Sequence, residues 1–181
     1  LHFSSRDICT PGDQVDALDA GTGRRFGIFR YAGASYVRLC CGRVNRGVAI
    51  LGTTIFVAEA DNHLIAIDAR TGKAIWNRTV AKTSSGYSMT GAPLALKDKV
   101  IVGVAGGEYG VRGFLEAFDA RSGKEDWRFY TIPAPGEPGA NTWGGDSWKH
   151  GGGGAWLTGS FDPERNLLFW GVGNAGPDYN G

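Results

Sequence analysis

The chain has 181 residues and is close to neutral, with 19 Lys plus Arg against 18 Asp plus Glu. That length suits one ordinary domain, and the balanced charge argues against nucleic-acid binding or a polybasic membrane contact. No apolar run reaches the ~20 residues a membrane-spanning helix requires, so no transmembrane segment is expected. Glycine (30 residues) and tryptophan (6 residues) are plentiful, which points to short strands, tight turns and repetition.

In chain order, the opening Leu1 is followed by polar residues, with no basic start and apolar run to mark a signal peptide. Cys9 has no evident partner. Ala17-Leu18-Asp19-Ala20-Gly21-Thr22-Gly23 is the first copy of a repeat. Cys40 and Cys41 follow as neighbours, with no Cys/His cluster nearby to complete a metal site. They fit either a small disulfide ring in an oxidising compartment or a reduced pair acting as small hydrophobes. Val48-Ala49-Ile50-Leu51 and Thr54-Ile55-Phe56-Val57-Ala58 flank Gly52 as a hairpin.

The second copy, Ala66-Ile67-Asp68-Ala69-Arg70-Thr71-Gly72-Lys73-Ala74-Ile75-Trp76, is fed by the apolar run Leu64 to Ile67. Pro93-Leu94-Ala95-Leu96 and Val100-Ile101-Val102-Gly103-Val104 form a second hairpin signal. The third copy is Ala117-Phe118-Asp119-Ala120-Arg121-Ser122-Gly123-Lys124-Glu125-Asp126-Trp127. Two segments then break the rhythm as expected loops, the Pro- and Gly-rich residues 132–149 and the run Gly151-Gly152-Gly153-Gly154. Phe161 and Asn166-Leu167-Leu168-Phe169-Trp170-Gly171 flank Asp162-Pro163 as a last hairpin.

The repeat aspartates stand 49 and then 51 residues apart. A period near 50 implies repeated supersecondary units such as propeller blades. Asp caps each turn through its side chain, Gly supplies positive φ, and the next strand carries Trp to the core. The expected fold is all-β, a partial β-propeller of about three to four four-stranded blades. Because closed propellers need ~4–8 blades, the chain is expected to be an internal piece of a longer protein. Residues 1–39 are expected to be a divergent blade portion; residues 1–11 do not read as a matching strand, and Gly27 stands where the first repeat's Trp would fall.

Four ordered motifs carry a resemblance. They are Cys40-Cys41-Gly42-Arg43-Val44-Asn45-Arg46-Gly47, Gly106-Gly107-Glu108-Tyr109-Gly110-Val111-Arg112-Gly113, the stretch from Asp146 through Gly151-Gly152-Gly153-Gly154-Ala155-Trp156, and Gly171-Val172-Gly173-Asn174. With the Trp-bearing repeat, they make the chain resemble the pyrroloquinoline-quinone (PQQ) dependent alcohol dehydrogenases. The resemblance implies an eight-bladed quinoprotein propeller, with residues 40–181 forming PQQ- and metal-site blades. It implies oxidation of a small primary alcohol, electrons passing to a cytochrome c, and a periplasmic location.

By the same resemblance Cys40 and Cys41 form a ring disulfide on one face of PQQ and Trp156 packs on the other. Arg46 and Thr90 hold its polar edge, and Ala105, Gly106 and Gly107 supply backbone beside its carboxylates. Glu108 and Asn174 are metal ligands, for Ca²⁺ or a lanthanide ion. The residue types suit a flat polyanion: an aromatic face and a polarizable sulfur pair for the π-system, Arg and hydroxyls for carboxylates, oxygen donors for a hard cation. No catalytic residue is expected in this chain; the family's catalytic aspartate would lie beyond Gly181. Ala105 stands where many relatives carry Ser.

Trp76, Trp127 and Arg112 read as structural, and Asp146 and Asp178 as turn caps. His63 and His150 show no partners in the sequence and read as turn or loop residues. Two alternatives stand beside the alcohol dehydrogenase: a non-catalytic propeller scaffold, which needs the repeat but not Cys40, Cys41, Glu108 or Asn174, and a PQQ-dependent sugar or polyol dehydrogenase.

Overall fold

The computed structural model describes residues 8–10, by their backbone, and residues 14–176. Cys9's side chain and Asp178 therefore lie outside the described residues. Thirteen strands are described: β1 Ile8–Thr10, β2 Gln14–Leu18, β3 Arg25–Arg30, β4 Val48–Leu51, β5 Thr54–Ala58, β6 His63–Asp68, β7 Lys73–Thr79, β8 Leu94–Leu96, β9 Lys99–Gly103, β10 Phe114–Asp119, β11 Glu125–Tyr130, β12 Ser160–Asp162 and β13 Leu167–Phe169. Among the described residues the only helical turns are short 3-10 segments.

The strands form four antiparallel meanders: β1-β2-β3, β4-β5-β6-β7, β8-β9-β10-β11 and β12-β13. Four strands in sequential order make a propeller blade, and β4 meets β8 where the second and third sheets adjoin. Ile8–Thr10 pairs with β2, so part of the segment that does not read as a strand in the sequence is one here.

The three repeats are superposable in register. Ala17 faces Gly27, Ala66 faces Trp76 and Ala117 faces Trp127, and each pair is followed by the same irregularity one residue on. In the turns, Asp19 Oδ1 accepts the Thr22 amide and hydroxyl at 2.8 and 2.9 Å. Asp119 Oδ1 does the same with Ser122, at 2.7 and 2.6 Å, and Asp68 takes the Arg70 amide at 2.8 Å. These bonds favour the carboxylate, so all three aspartates lie below the ordinary range, led by the Thr22 hydroxyl for Asp19, the Arg70 amide for Asp68 and the Ser122 hydroxyl for Asp119.

Alternation along β5 and β6 explains their unbroken apolar runs. Phe56, Leu64 and Ala66 pack toward the third sheet with Val100, Val102 and Phe114. Ile55, Val57, Ile65 and Ile67 pack toward the first sheet with Val15 and Phe29. Trp76 seals one junction: its ring neighbours Phe56, and its Nε1 donates to Ala120 O at 3.1 Å. Trp127 faces the next junction, lining an apolar gap with Leu115, Phe129, Leu168 and Trp170. Arg112 is structural too, donating to Ile132 O at 2.8 Å and lying over the Tyr130 ring.

The glycine run is a loop, as expected, but not an exposed one. Residues 151–155 are buried and bonded on both sides. Gly152 N donates to Val111 O and Ala155 N to Val104 O, while Gly153 N donates to Asn174 O and Gly173 N to Gly154 O. A Cβ on Gly153 would stand 2.7 Å from Ile132 Cδ1 and 2.8 Å from Thr131 Oγ1, so only a bare backbone fits between the neighbouring segments. The two histidines do have partners here: His63 Nδ1 lies 2.7 Å from Asn77 Oδ1, and His150 Nδ1 lies 2.8 Å from Gly110 O.

Candidate functional site

Antiparallel meanders return the entry of a sheet's first strand and the exit of its second to the same end. That end carries a cavity of about 290 Å³, near the lower bound of ~300 Å³ common for small-molecule sites. Cys40, Cys41 and Arg46 lead into β4; Thr90 leads into β8; Ala105, Gly106, Gly107 and Glu108 follow β9; Trp156 leads into β12; Asn174 follows β13. All of them line this one cavity. The aspartate-capped turns lie at the opposite end, where β6 passes to β7 and β10 to β11.

The loop at residues 31–47 carries the sulfur wall, and a disulfide joins Cys40 to Cys41. Asn45 fixes the loop's exit, donating to Ala58 O at 3.2 Å and accepting the Gly47 amide at 2.8 Å. Arg43 ties the loop to itself through Ala34 O at 2.9 Å. Arg38 lies 4.3 Å from the centroid of the Tyr109 ring, which joins the sulfur loop to the turn bearing Glu108.

Arg46 bridges two further walls. Its guanidinium stands 5.0 Å from the Trp156 ring centroid and donates to Thr90 O at 3.1 Å. Gly91 lets the chain pass close to the Trp156 backbone, since a Cβ there would stand 2.7 Å from the Trp156 carbonyl oxygen. Glu108 is the middle residue of the 3-10 turn Gly107–Tyr109, flanked by Gly106 and Gly110 at φ 114° and 71°. The left-handed φ at both ends favours glycine and turns the chain sharply, leaving Glu108 exposed at the cavity. Asn174 donates its side-chain amide to Ala175 O at 3.0 Å.

The cavity thus offers a disulfide and an indole as flat polarizable walls, one guanidinium, three hydroxyl-bearing residues, one carboxylate and one primary amide. Among the described residues no group of three His, Cys, Asp or Glu converges on a metal-binding point, so Glu108 and Asn174 form at most part of a coordination shell. Sequence reading missed Leu39, Gly42, Val44, Ser88, Tyr109, Gly154 and Gly173. Ser88 was within reach: it stands two residues before Thr90, and period two places both on one side of an extended chain.

The model for the family described as "PQQ: Glucose/ethanol/alcohol dehydrogenase, beta-propeller domain" matches residues 7–181. The quinohemoprotein alcohol dehydrogenase ADH IIB of Pseudomonas putida is 46% identical over 181 residues, covering 91% of this chain and 26% of that protein. The lanthanide-dependent methanol dehydrogenase of Methylacidiphilum fumariolicum is 41% identical over 155 residues, covering 76% of this chain and 25% of that protein. Among solved structures, a europium-containing methanol dehydrogenase superposes with a TM-score of 0.81 at 35% identity, covering 90% of this chain and 32% of that one. The chain therefore spans about a quarter of the length of the curated relatives it matches.

Proposed function

We propose a function from one premise: the chain belongs to the PQQ β-propeller family of glucose, ethanol and other alcohol dehydrogenases. On that basis it is the cofactor-holding part of a longer quinoprotein that oxidises a small primary alcohol. The observation that carries this is convergence. Motifs spread from Cys40 to Asn174, on five separate strand entries and exits, meet in a single cavity.

The cavity fits a planar polyanionic quinone. The disulfide and Trp156 suit its ring faces, and Arg46 and Thr90 suit its carboxylate oxygens. Gly106 and Gly107 let main chain approach its edge. Glu108 and Asn174 pair a negative and a neutral oxygen donor, as a hard cation such as Ca²⁺ or a lanthanide prefers. When bound, PQQ supplies a two-electron acceptor for the alcohol's hydride, and the cation polarises it.

The chain's own part is to orient and to exclude. Arg46 and Thr90 fix the in-plane position, the two flat walls fix the tilt, and Gly154 of the buried run adds bare backbone to the cavity wall. Glu108 is the one carboxylate lining the described cavity. Since it is assigned to the cation, the base that takes the alcohol proton is assigned to the remainder of the longer protein. A periplasmic location is supported by the Cys40–Cys41 disulfide, which an oxidising compartment preserves. A cytochrome c acceptor is supported by the haem in the name of the Pseudomonas relative.

The test uses full-length apoprotein reconstituted with PQQ and Ca²⁺ or a lanthanide. Dye reduction, and then cytochrome c reduction, should follow addition of a primary alcohol and require both additions. Turnover of glucose or polyols alone would move the assignment to the sugar branch, and failure to bind PQQ would leave a scaffold.

A further inference from the structure

We infer that Ser88 is a cofactor ligand, its hydroxyl donating to the carboxylate edge of the bound quinone beside Ala105. This rests on the PQQ assignment above and goes beyond the residues named there. Ser88 and Ala105 exchange both backbone hydrogen bonds, Ser88 N to Ala105 O at 3.3 Å and Ala105 N to Ser88 O at 2.8 Å, in an antiparallel bridge. In such a pair the two Cα atoms lie ~5.5 Å apart and the side chains project from the same face.

Which face is settled by the neighbours. Met89 and Val104 are buried in the core between the second and third sheets, so alternation turns Ser88, Thr90 and Ala105 to the other side. All three line the cavity.

Ser88 is 3% exposed, which is deep for a hydroxyl. Its amide and carbonyl are taken by Ala105, and among the described residues the hydroxyl has no hydrogen-bond partner. The hydroxyl oxygen is not one of the buried orphaned polar atoms, so it keeps access to open volume, and Ser88 lines the cavity. A ligand acceptor in the cavity is therefore a partner within its reach. The methyl of Ala105 beside it offers no competing donor. The position of the hydroxyl, rather than the residue number that carries it, is what the ligand senses.

The test measures equilibrium binding of PQQ to full-length apoprotein with Ca²⁺ present, by tryptophan fluorescence and by dialysis. Ser88→Ala should weaken binding about tenfold, the scale of one hydrogen bond to a charged group. The transposed variant Ser88→Ala/Ala105→Ser should recover binding to within about twofold of wild type. Ser88→Ala binding as tightly as wild type, while Arg46→Ala binds weakly, would overturn the inference and leave the PQQ assignment standing. A loss in Ser88→Ala that the transposed variant does not repair would also overturn it, since the loss would then come from packing. Wild-type protein that binds no PQQ would remove both.

Discussion

The indole of Trp76 lies against Gly123 of the following repeat, so closely that a Cβ there would stand 2.7 Å from Cδ2. Arg78, two residues along the same strand, donates to Gly123 O at 2.8 Å and Ser122 O at 3.0 Å. One strand thus grips the next blade's aspartate-capped turn by a ring and a guanidinium. Gly123→Ala forces a side chain into a φ of 67° and against the ring. The expected loss is about 2–4 kcal/mol, read as a lowered denaturation midpoint of the full-length protein. An unchanged midpoint would show that the ring does not bear on this junction.

The first blade lacks that grip. Gly27 occupies the register of Trp76, and no atom lies within 4 Å of a Cβ built at Gly27 or at Gly72. Gly27→Trp should therefore dock on the turn after Asp68 and stabilise the protein by about 1–2 kcal/mol, from buried ring area and the loss of a strand glycine. Thermal melts of wild type and variant decide it, and a lower melting temperature would mean the two turns are not equivalent.

Repetition made most of this fold legible. The spacing of Asp19, Asp68 and Asp119 places the turns, and the hairpins around Gly52, residues 97–99 and Asp162 fall where the apolar runs place them. The site was legible through its motifs, because each lies at a strand entry or exit that the meander returns to one end. What stayed hidden depended on pairing across the chain. Nothing local to residues 151–155 says that bare backbone there is bonded to Val104, Val111 and Asn174, and a glycine run by itself reads as a loop. Ser88 differs, since its spacing of two from Thr90 already put both on one side of an extended chain; only its pairing with Ala105 needed the structure.

Glu116 and Arg128 face each other across β10 and β11, with Arg128 donating to both carboxylate oxygens at 2.9 Å. Burial pushes the Glu116 carboxyl up from 4.5 to about 7, against the pull of Arg128. The unfolded chain releases this proton first. Between about pH 4.5 and 7 the folded state binds more protons, so this group's contribution falls as pH rises. Asp19, Asp68 and Asp119, held below their ordinary range, act in the opposite sense and lose their contribution only in acid. Full-length wild type should therefore lose stability relative to Glu116→Gln across that window. A difference that stays flat from pH 4 to 8 would contradict the shift.

Glu108 is exposed at the cavity and outside both packed clusters. Glu108→Ala should lower bound Ca²⁺ or lanthanide in the full-length protein by at least about tenfold in affinity. The apoprotein's melt should stay within about 0.5 kcal/mol of wild type, as for a surface change. Metal content after dialysis and an apoprotein melt separate the two effects. Full metal stoichiometry in the variant would remove Glu108 from the coordination shell.

The two ends of these sheets are chemically separate, and that separation is useful at the bench. Lys73 and Lys124 sit exposed beside the capped turns, a strand's length from the cavity mouth. Tethering the protein through that end, to an electrode or a bead, leaves the mouth facing solution. On the proposed function, a redox dye then meets the open end in a single orientation, so current per immobilised molecule becomes a measure of turnover rather than of how each copy happened to land.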